Sequence, residues 1–204
     1  MALGVLIALT GVDTVSFIIN PISRFGYVGD GRKAMLTLKD KVFDALMAAG
    51  KPHDIRLFGT YAMNALRIEK SYRGWGSELT AEIDMIEASM ERFLRLDKDD
   101  FIGKAATLRR KQQGPRMKLV YIEVDNTDSD CVGNEPIYHN GKKVGLTTSG
   151  GFGQKTGKSL AFAYLPPELT AVGTELELMM FTEMRKARII PESIWDPAND
   201  RLRA

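Results

Sequence analysis

A cation and two aromatic rings lie close together in the sequence near residue 70, and this combination suits a flat ligand that carries a carboxylate. Arg67 stands near the end of the segment TYAMNALRIEK, and Tyr72 and Trp75 follow in SYRGWGSELT. A guanidinium presents five donors in a fixed plane, a geometry that matches a carboxylate. Arg67 is therefore a candidate ligand-binding residue. The rings of Tyr72 and Trp75 can either face a bound ring or cover the hydrophobic core.

Charge patterning alone favours a simpler interpretation of this region. Glu69 follows Arg67 by two residues, so the two side chains point in different directions on a helix and are not expected to pair. Both then read as solvated surface charges. The basic run RRKQQGPRMK, residues 109–118, is likewise typical of a solvated helix end and linker. A net charge of only +2 does not indicate a nucleic-acid partner.

The glycine-rich stretch TSGGFGQKTGKS, residues 148–159, resembles a phosphate-binding loop only at its end. Phe152 stands where that loop needs a glycine, five residues before Gly157. The segment that follows, SLAFAYL, also has the pattern of a strand, whereas a phosphate loop leads into a helix. We therefore interpret the stretch as a cluster of turns or bulges that exposes backbone inside a β-barrel.

The residues that most often perform catalysis are few. Cys131 is the only cysteine, which excludes a disulfide within the chain and fits a reducing compartment. No cationic neighbour lowers its pKa, so a catalytic thiolate is not expected. His53 and His139 are the only histidines, and no G-x-S-x-G motif is present. The sequence predicts no metal site and assigns no catalytic residue.

The composition is that of a globular protein. The chain has 204 residues, of which 44% are hydrophobic and 26% charged, enough for one large domain or two small ones. The first nine residues, MALGVLIAL, are apolar but too short to span a membrane. They also lack the basic start and the small-residue cleavage site of a secretory signal. We therefore expect a cytoplasmic protein with no membrane partner.

The first half of the chain is predicted to be mixed α and β, with three helices. The segment TLKDKVFDALMAAGK begins at Thr37 with the spacing of a capping box and closes at Gly50. GTYAMNALRIEK gives a second helix, which places Arg67 in its last turn. DFIGKAATLRRKQQG gives a third, which begins behind Asp99 and Asp100 and ends at Gly114.

The second half is predicted to be β-structure. MKLVYIEV alternates as a strand does, EPIYHNGKKVGLTTS reads as two strands about an Asn140-Gly141 turn, and SLAFAYL and TELELMMF continue the pattern. Short strands with close spacing indicate a small sandwich or barrel. The predicted boundary between the two halves falls near residues 113–116.

Four segments occur in the order that is typical of one family. They are ALRIEKSYRGWGSELT, EIDMIEASMERFLRLDKDDFIGKAAT, LTTSGGFGQKTGKSLAFAYL and ARIIPESIWDP. As an ordered set they resemble the folate-dependent aminomethyltransferase family, which includes the glycine-cleavage T-protein. The phrase RIEKSYRGWGSELT is most similar to the branch formed by the C-terminal regions of dimethylglycine and sarcosine dehydrogenases. The resemblance covers roughly residues 22–204.

The resemblance implies an α+β protein, with part of an α/β folate-binding domain in residues 1–113 and a C-terminal antiparallel β-barrel in residues 114–204. It implies tetrahydrofolate as the cofactor and the transfer of a one-carbon unit to it from a small amine. It implies no FAD domain in this chain. By residue-by-residue match, Tyr27, Arg67 and Trp195 are the expected folate-binding residues.

The chain departs from the family pattern at positions that matter for function. Ala34 stands where the family has a glutamate that binds the pterin, and Met85 and Ser89 replace a proline and a glycine. The aspartate that positions folate in the family belongs to an N-terminal region that these residues do not include, so no general acid or base can be assigned.

Two hypotheses follow from these departures. The first is an aminomethyltransferase-like protein that is incomplete without the missing N-terminal half. The alternative is a diverged, non-catalytic scaffold or subunit that acts through a partner chain. Under either hypothesis, the absence of the N-terminal half would expose apolar surface. A homo-oligomer or a partner chain is therefore expected to cover that surface. The one-carbon donor stays open, a sulfonium compound included.

Overall fold

A computed structural model of the chain describes residues 29–203, with side-chain surroundings from residue 38 onward. The chain forms two compact units, which divide between Phe58 and Gly59. The boundary near residues 113–116 that the sequence suggests stays a prediction. Within residues 29–203, no helix is both long enough and apolar enough to cross a membrane.

The first unit contains one long helix, α1, which runs over Gly29–Gly50 and is followed by a 3-10 turn over Lys51–His53. The predicted end at Gly50 is confirmed, but the predicted start at Thr37 is wrong, because Thr37 lies inside the helix. The preceding Arg, Lys, Ala, Met and Leu residues have high helix propensity, so the helix extends through them and the capping-box spacing is not used.

The second unit is built around a closed antiparallel barrel of six strands in the order β1-β4-β3-β2-β5-β6. The strands are β1 (Lys118–Val124), β2 (Pro136–His139), β3 (Lys142–Gly153), β4 (Lys158–Leu165), β5 (Glu175–Met180) and β6 (Glu183–Ile190). Strand β1 closes the barrel by pairing with both β4 and β6. This confirms the barrel and decides against a sandwich.

Alternation along the strands separates two apolar clusters. The barrel interior holds one of them, which includes Val120, Ile122, Val124, Cys131, Ile137, Ala161, Ala163, Leu165, Leu176, Leu178, Met180, Ala187 and Ile189. The residues between them on β1 and β4 face outward and form a second cluster around Ile68 of helix α2 (Thr60–Glu69), with Leu119, Tyr121, Leu160, Phe162 and Ile190. This second cluster fixes α2 on the outside of the barrel.

The glycine-rich stretch lets α2 approach strand β3 closely. The register of β3 against β4 shifts between Thr147 and Ser149, which confirms the predicted bulge. A Cβ atom added at Gly151 would lie 3.2 Å from Asn64 Nδ2, and one added at Gly153 would lie 2.8 Å from Glu69 Cγ. The glycines therefore leave room for α2. The element that follows them is a strand, whereas a phosphate-binding loop would lead into a helix.

The remaining helices are short. Helix α3 (Lys104–Gln113) begins after Gly103, whose φ is 93°, and ends at Gly114, whose φ is 80°. The predicted start behind Asp99 and Asp100 is wrong because the left-handed Gly103 interrupts the helical backbone. Helix α4 covers Asp200–Arg203.

Candidate functional site

Arg67 is held in one orientation at the end of α2. Its Nε donates to Asn64 Oδ1 at 2.9 Å, and its Nη1 donates to the Tyr72 carbonyl and to Glu78 Oε2, both at 3.1 Å. The side chain is 20% exposed. A freely solvated surface charge would lack these fixed partners, so the interpretation of Arg67 as an ordinary surface charge is wrong.

Glu78 is the fully buried carboxylate at the centre of this arrangement. Its Oε2 accepts from the Gly74 N–H at 2.7 Å and from Ser77 Oγ at 3.0 Å, besides Arg67. Its Oε1 accepts from the hydroxyls of Thr148 and Ser149 on β3. Glu78 thus joins α2, the loop after it and the barrel. The sequence analysis did not single out this residue.

The environment of Glu78 keeps it ionised. Burial raises the pKa of the Glu78 carboxyl, but the hydrogen bonds from Ser149, Thr148 and the Gly74 N–H, together with the charge of Arg67, lower it below the ordinary value. A carboxylate with this many donors accepts hydrogen bonds at neutral pH and does not supply a proton. Its chemistry is therefore structural or electrostatic.

The aromatic rings after α2 are exposed. Tyr72 is 48% exposed and Trp75 is 80% exposed, so neither covers the hydrophobic core. The helix ends at Glu69, and Ser71 adopts the left-handed conformation with φ 53°. Because the Tyr72 N–H donates to the Arg67 carbonyl and Nη1 of Arg67 donates back to Tyr72, the loop with both rings begins beside the guanidinium.

Glu69 is also buried, although the sequence favours a surface charge there. Its Oε1 accepts from the backbone N–H groups of Lys155 and Thr156, both at 2.8 Å, and from the Thr156 hydroxyl at 3.1 Å. Glu69 thus ties the turn between β3 and β4 to α2. The predicted absence of an Arg67–Glu69 pair agrees with these contacts, because the two side chains have different partners.

Trp195 lies at the same end of α2 as Arg67. Its backbone N–H donates to the Glu69 carbonyl at 3.4 Å, and the guanidinium carbon of Arg201 lies 5.2 Å from the centre of its ring. Within the described residues, no hydrogen bond joins Arg67 to Trp195. Tyr27 and the side chain of Ala34 lie outside the part of the chain that the structure describes.

Arg73 is a second arginine with fixed hydrogen-bond partners, and the sequence analysis did not single it out. Its Nη1 and Nη2 each lie 2.7 Å from a carboxylate oxygen of Glu192, and its donors also reach the carbonyls of Ser71, Ala88 and Ser89. These bonds fix the loop after α2 to the segment after β6. Because protein acceptors engage all three nitrogens of its guanidinium, Arg73 stabilises the loop that follows α2.

A cavity of about 520 Å³ adjoins the Glu78 cluster. It is lined by residues that include Ser77, Thr148 and Tyr164, whose hydroxyl donates to the Glu78 carbonyl at 2.7 Å. Cys131 is not available for chemistry, because burial raises the pKa of its thiol to about 12, with smaller contributions from Glu135 and Asp130. The described side chains of the site thus support binding, and they identify no group for proton transfer.

Comparison with known proteins decides the family. Residues 117–196 match the glycine cleavage T-protein C-terminal barrel domain, and residues 12–98 match the GCVT N-terminal domain. The chain belongs to the glycine cleavage T-protein, or aminomethyltransferase, family. The barrel and α2 are thus the framework of an aminomethyltransferase-type domain, as the order of the four segments predicted.

Individual relatives are longer than this chain. Human mitochondrial dimethylglycine dehydrogenase is 42% identical over 185 residues, which make up 88% of this chain and 21% of the relative. An aminomethyltransferase from Desulfitobacterium hafniense is 33% identical over 173 residues, which make up 83% of this chain and 47% of the relative. The chain therefore spans less than half of either protein.

A solved structure supports the fold. The glycine cleavage system aminomethyltransferase T from Bartonella henselae superposes with a TM-score of 0.69 at 22% sequence identity, covering 78% of this chain and 44% of that one. At this identity the similarity establishes the shared architecture, and function has to be argued from the site.

Proposed function

We propose that this chain is the folate-binding part of a one-carbon transferase, in which a one-carbon unit passes from an amine donor to tetrahydrofolate. The observation that carries the proposal is the Arg67 guanidinium, held by Asn64 and Glu78 at the start of the loop that contains the exposed residues Tyr72 and Trp75. A folate combines a flat pterin with a glutamate tail. It therefore needs ring faces and a cation together.

The residues of the described site fit such a ligand in one specific way. Hydrogen bonds engage Nε and Nη1 of Arg67, while Nη2 donates to no acceptor among the described residues. A carboxylate can bind there without displacing a protein contact. Bound tetrahydrofolate would supply the nitrogen atoms that accept the one-carbon unit. Trp195 and Tyr27 stay proposed folate-binding residues on the family resemblance.

The described residues of the site include no general base. Glu78 is engaged by five donors and Cys131 is buried with a raised pKa, so neither can serve as a general base. We propose that turnover requires residues outside this chain, on a longer polypeptide or a partner. The matched residues make up only 21% of the human relative and 47% of the Desulfitobacterium relative, which supports this view.

Isothermal calorimetry with 5-formyltetrahydrofolate, a stable reduced folate, tests the proposal. We expect binding by the wild type and about 30-fold weaker binding by Arg67→Ala, because a hydrogen bond to a charged group is worth about 2 kcal/mol. Arg185→Ala is the matched control, since Arg185 is also partly buried and paired, with Asp128 and Glu183. No binding by the wild type at millimolar ligand would rule the proposal out.

A non-catalytic subunit is a second candidate, and exposed apolar side chains favour it. Tyr61 is 94% exposed, Leu66 is 54% exposed and Trp75 is 80% exposed, all on α2 or in the loop after it. Apolar surface of this kind is typical of an interface. Sedimentation velocity tests this candidate, because it expects self-association or capture of a partner, and a monodisperse monomer that binds folate would count against it.

The compartment needs a separate test. We propose a cytoplasmic location, on the basis of the sequence, whereas the human relative is mitochondrial by name. Fractionation of cells that express the tagged full-length protein would decide this, and recovery with an organelle fraction would contradict the proposal.

A further inference from the structure

The hydrogen bonds of Arg67 leave a defined part of the guanidinium for a ligand. Of the five N–H groups, one is on Nε and two are on each Nη. Nε donates to Asn64, and Nη1 donates to both Tyr72 and Glu78. Among the described residues, only the two N–H groups of Nη2 are then without an acceptor. Because protein acceptors engage Nε and Nη1 of Arg67, Nη2 is the nitrogen that can bind a ligand.

Glu78 differs from the other two acceptors in being charged and rigid. It is fully buried, and four further donors fix its carboxylate: the Gly74 N–H and the hydroxyls of Ser77, Thr148 and Ser149. A charge-assisted bond to a carboxylate that cannot move fixes the rotation of the guanidinium plane more firmly than a bond to a mobile acceptor.

The four other donors of Glu78 are neutral groups, so the pair formed by Arg67 and Glu78 has no net charge. What Glu78 can contribute to ligand binding is therefore the orientation of the Arg67 N–H groups, and not added positive charge.

We propose that Glu78 is the positioning residue of the folate site, which holds Nη1 of Arg67 so that Nη2 binds a carboxylate of the folate. This inference rests on the proposed function, because it concerns the same ligand. Glu78 itself does not touch the ligand and acts only through Arg67.

Substitution of Glu78 by glutamine tests the inference. Glu78→Gln keeps the volume of the side chain but removes the charge. We expect it to weaken the binding of 5-formyltetrahydrofolate about tenfold or more in calorimetry. Glu87→Gln is the matched control, because Glu87 is also buried and is paired with an arginine, Arg116, and it makes no contact with Arg67. We expect the control to bind within twofold of the wild type.

A double-mutant cycle separates positioning from a general structural role. If Glu78 acts through Arg67, Glu78→Gln should change affinity less than twofold when Arg67 is already alanine. If the two effects add, Glu78 does not act through Arg67, and the inference is wrong. Should Glu78→Gln not fold, Glu78→Asp takes its place, since it keeps the charge but withdraws the oxygens from Nη1, and we expect the same loss of affinity.

The outcomes distinguish the inference from the proposed function. Wild-type binding that Arg67→Ala weakens but the Glu78 variants leave unchanged would overturn the inference and leave the proposed function standing. Absence of folate binding by the wild type would overturn both.

Discussion

Glu78 accepts hydrogen bonds from three segments of the second unit, so its protonation should be linked to folding. Burial raises the pKa of its carboxyl, but the bonds from Ser149, Thr148 and Gly74 and the charge of Arg67 lower it below the ordinary value of 4.5. A group whose pKa is lower in the folded state stabilises the fold above the unfolded pKa. That contribution is lost as the pH falls through the folded pKa.

This linkage predicts a pH-dependent difference between the wild type and Glu78→Gln. At pH 7 we expect the variant to be less stable by about 3 kcal/mol, because it leaves Arg67, the Gly74 N–H and three hydroxyl donors without a charged acceptor. The difference should narrow in acid below the ordinary glutamate pKa, since the wild type then loses the same charge. Urea unfolding at pH 7 and at a series of acidic pH values measures it. An equal difference at every pH would show that the charge of Glu78 does not contribute.

Sequence reasoning identified Arg67 but not the carboxylate that holds it. Arg67 could be found because it is a cation near the end of a predicted helix, close in sequence to two aromatic residues, and the family resemblance pointed to the same residue. Glu78 and Glu69 could not be found, because each lies in a polar stretch. The local sequence around a buried glutamate does not differ there from the sequence around an exposed one. Their burial depends on donors from β3 and the turn after it, about 70 to 90 residues away in sequence, as for Thr148 and Thr156.

The contact of α2 with strand β3 is the element-scale feature that builds the site. Gly153 lies at this contact: an added Cβ atom would clash first with Thr156 Oγ1, in the turn that Glu69 holds, and would lie 2.8 Å from Glu69 Cγ on α2. We expect Gly153→Ala to reduce the free energy of unfolding by about 2 kcal/mol, a usual cost of overpacking a close contact. Chemical denaturation measures the change.

Gly59→Ala is the control for this substitution. No heavy atom would lie within 4 Å of its added Cβ, and the loss should stay below about 1 kcal/mol, as expected at a helix N-terminus. If Gly153→Ala is no more destabilising than Gly59→Ala, then α2 does not need the glycine to approach β3.

At the scale of elements, the strands were easier to predict than the ends of the helices. Five of the six strands follow from alternation and from the Asn140-Gly141 turn, in which both residues have positive φ. Strand β6 was missed because its first half, EMRK, is polar and only Ala187, Ile189 and Ile190 are buried. The start of α1 was misplaced because a capping-box spacing also occurs by chance inside a helix.

For the whole molecule, the family and the barrel could be predicted from the order of the four segments. The two family matches cover residues 12–98 and 117–196, and the chain spans less than half of the human and Desulfitobacterium relatives. The exposed aromatic side chains around α2 are where we expect a partner to bind. We propose that the activity requires residues in addition to those of this chain.

A ligand that lacks the carboxylates provides the most direct test of whether Arg67 binds folate through its glutamate tail. Calorimetry would compare 5-formyltetrahydrofolate with the same molecule in which both glutamate carboxylates are amides. We expect the wild type to bind the amide about 30-fold more weakly, and Arg67→Ala to bind both forms with equal affinity. Equal binding of the two ligands by the wild type, or discrimination between them that persists in Arg67→Ala, would contradict the account.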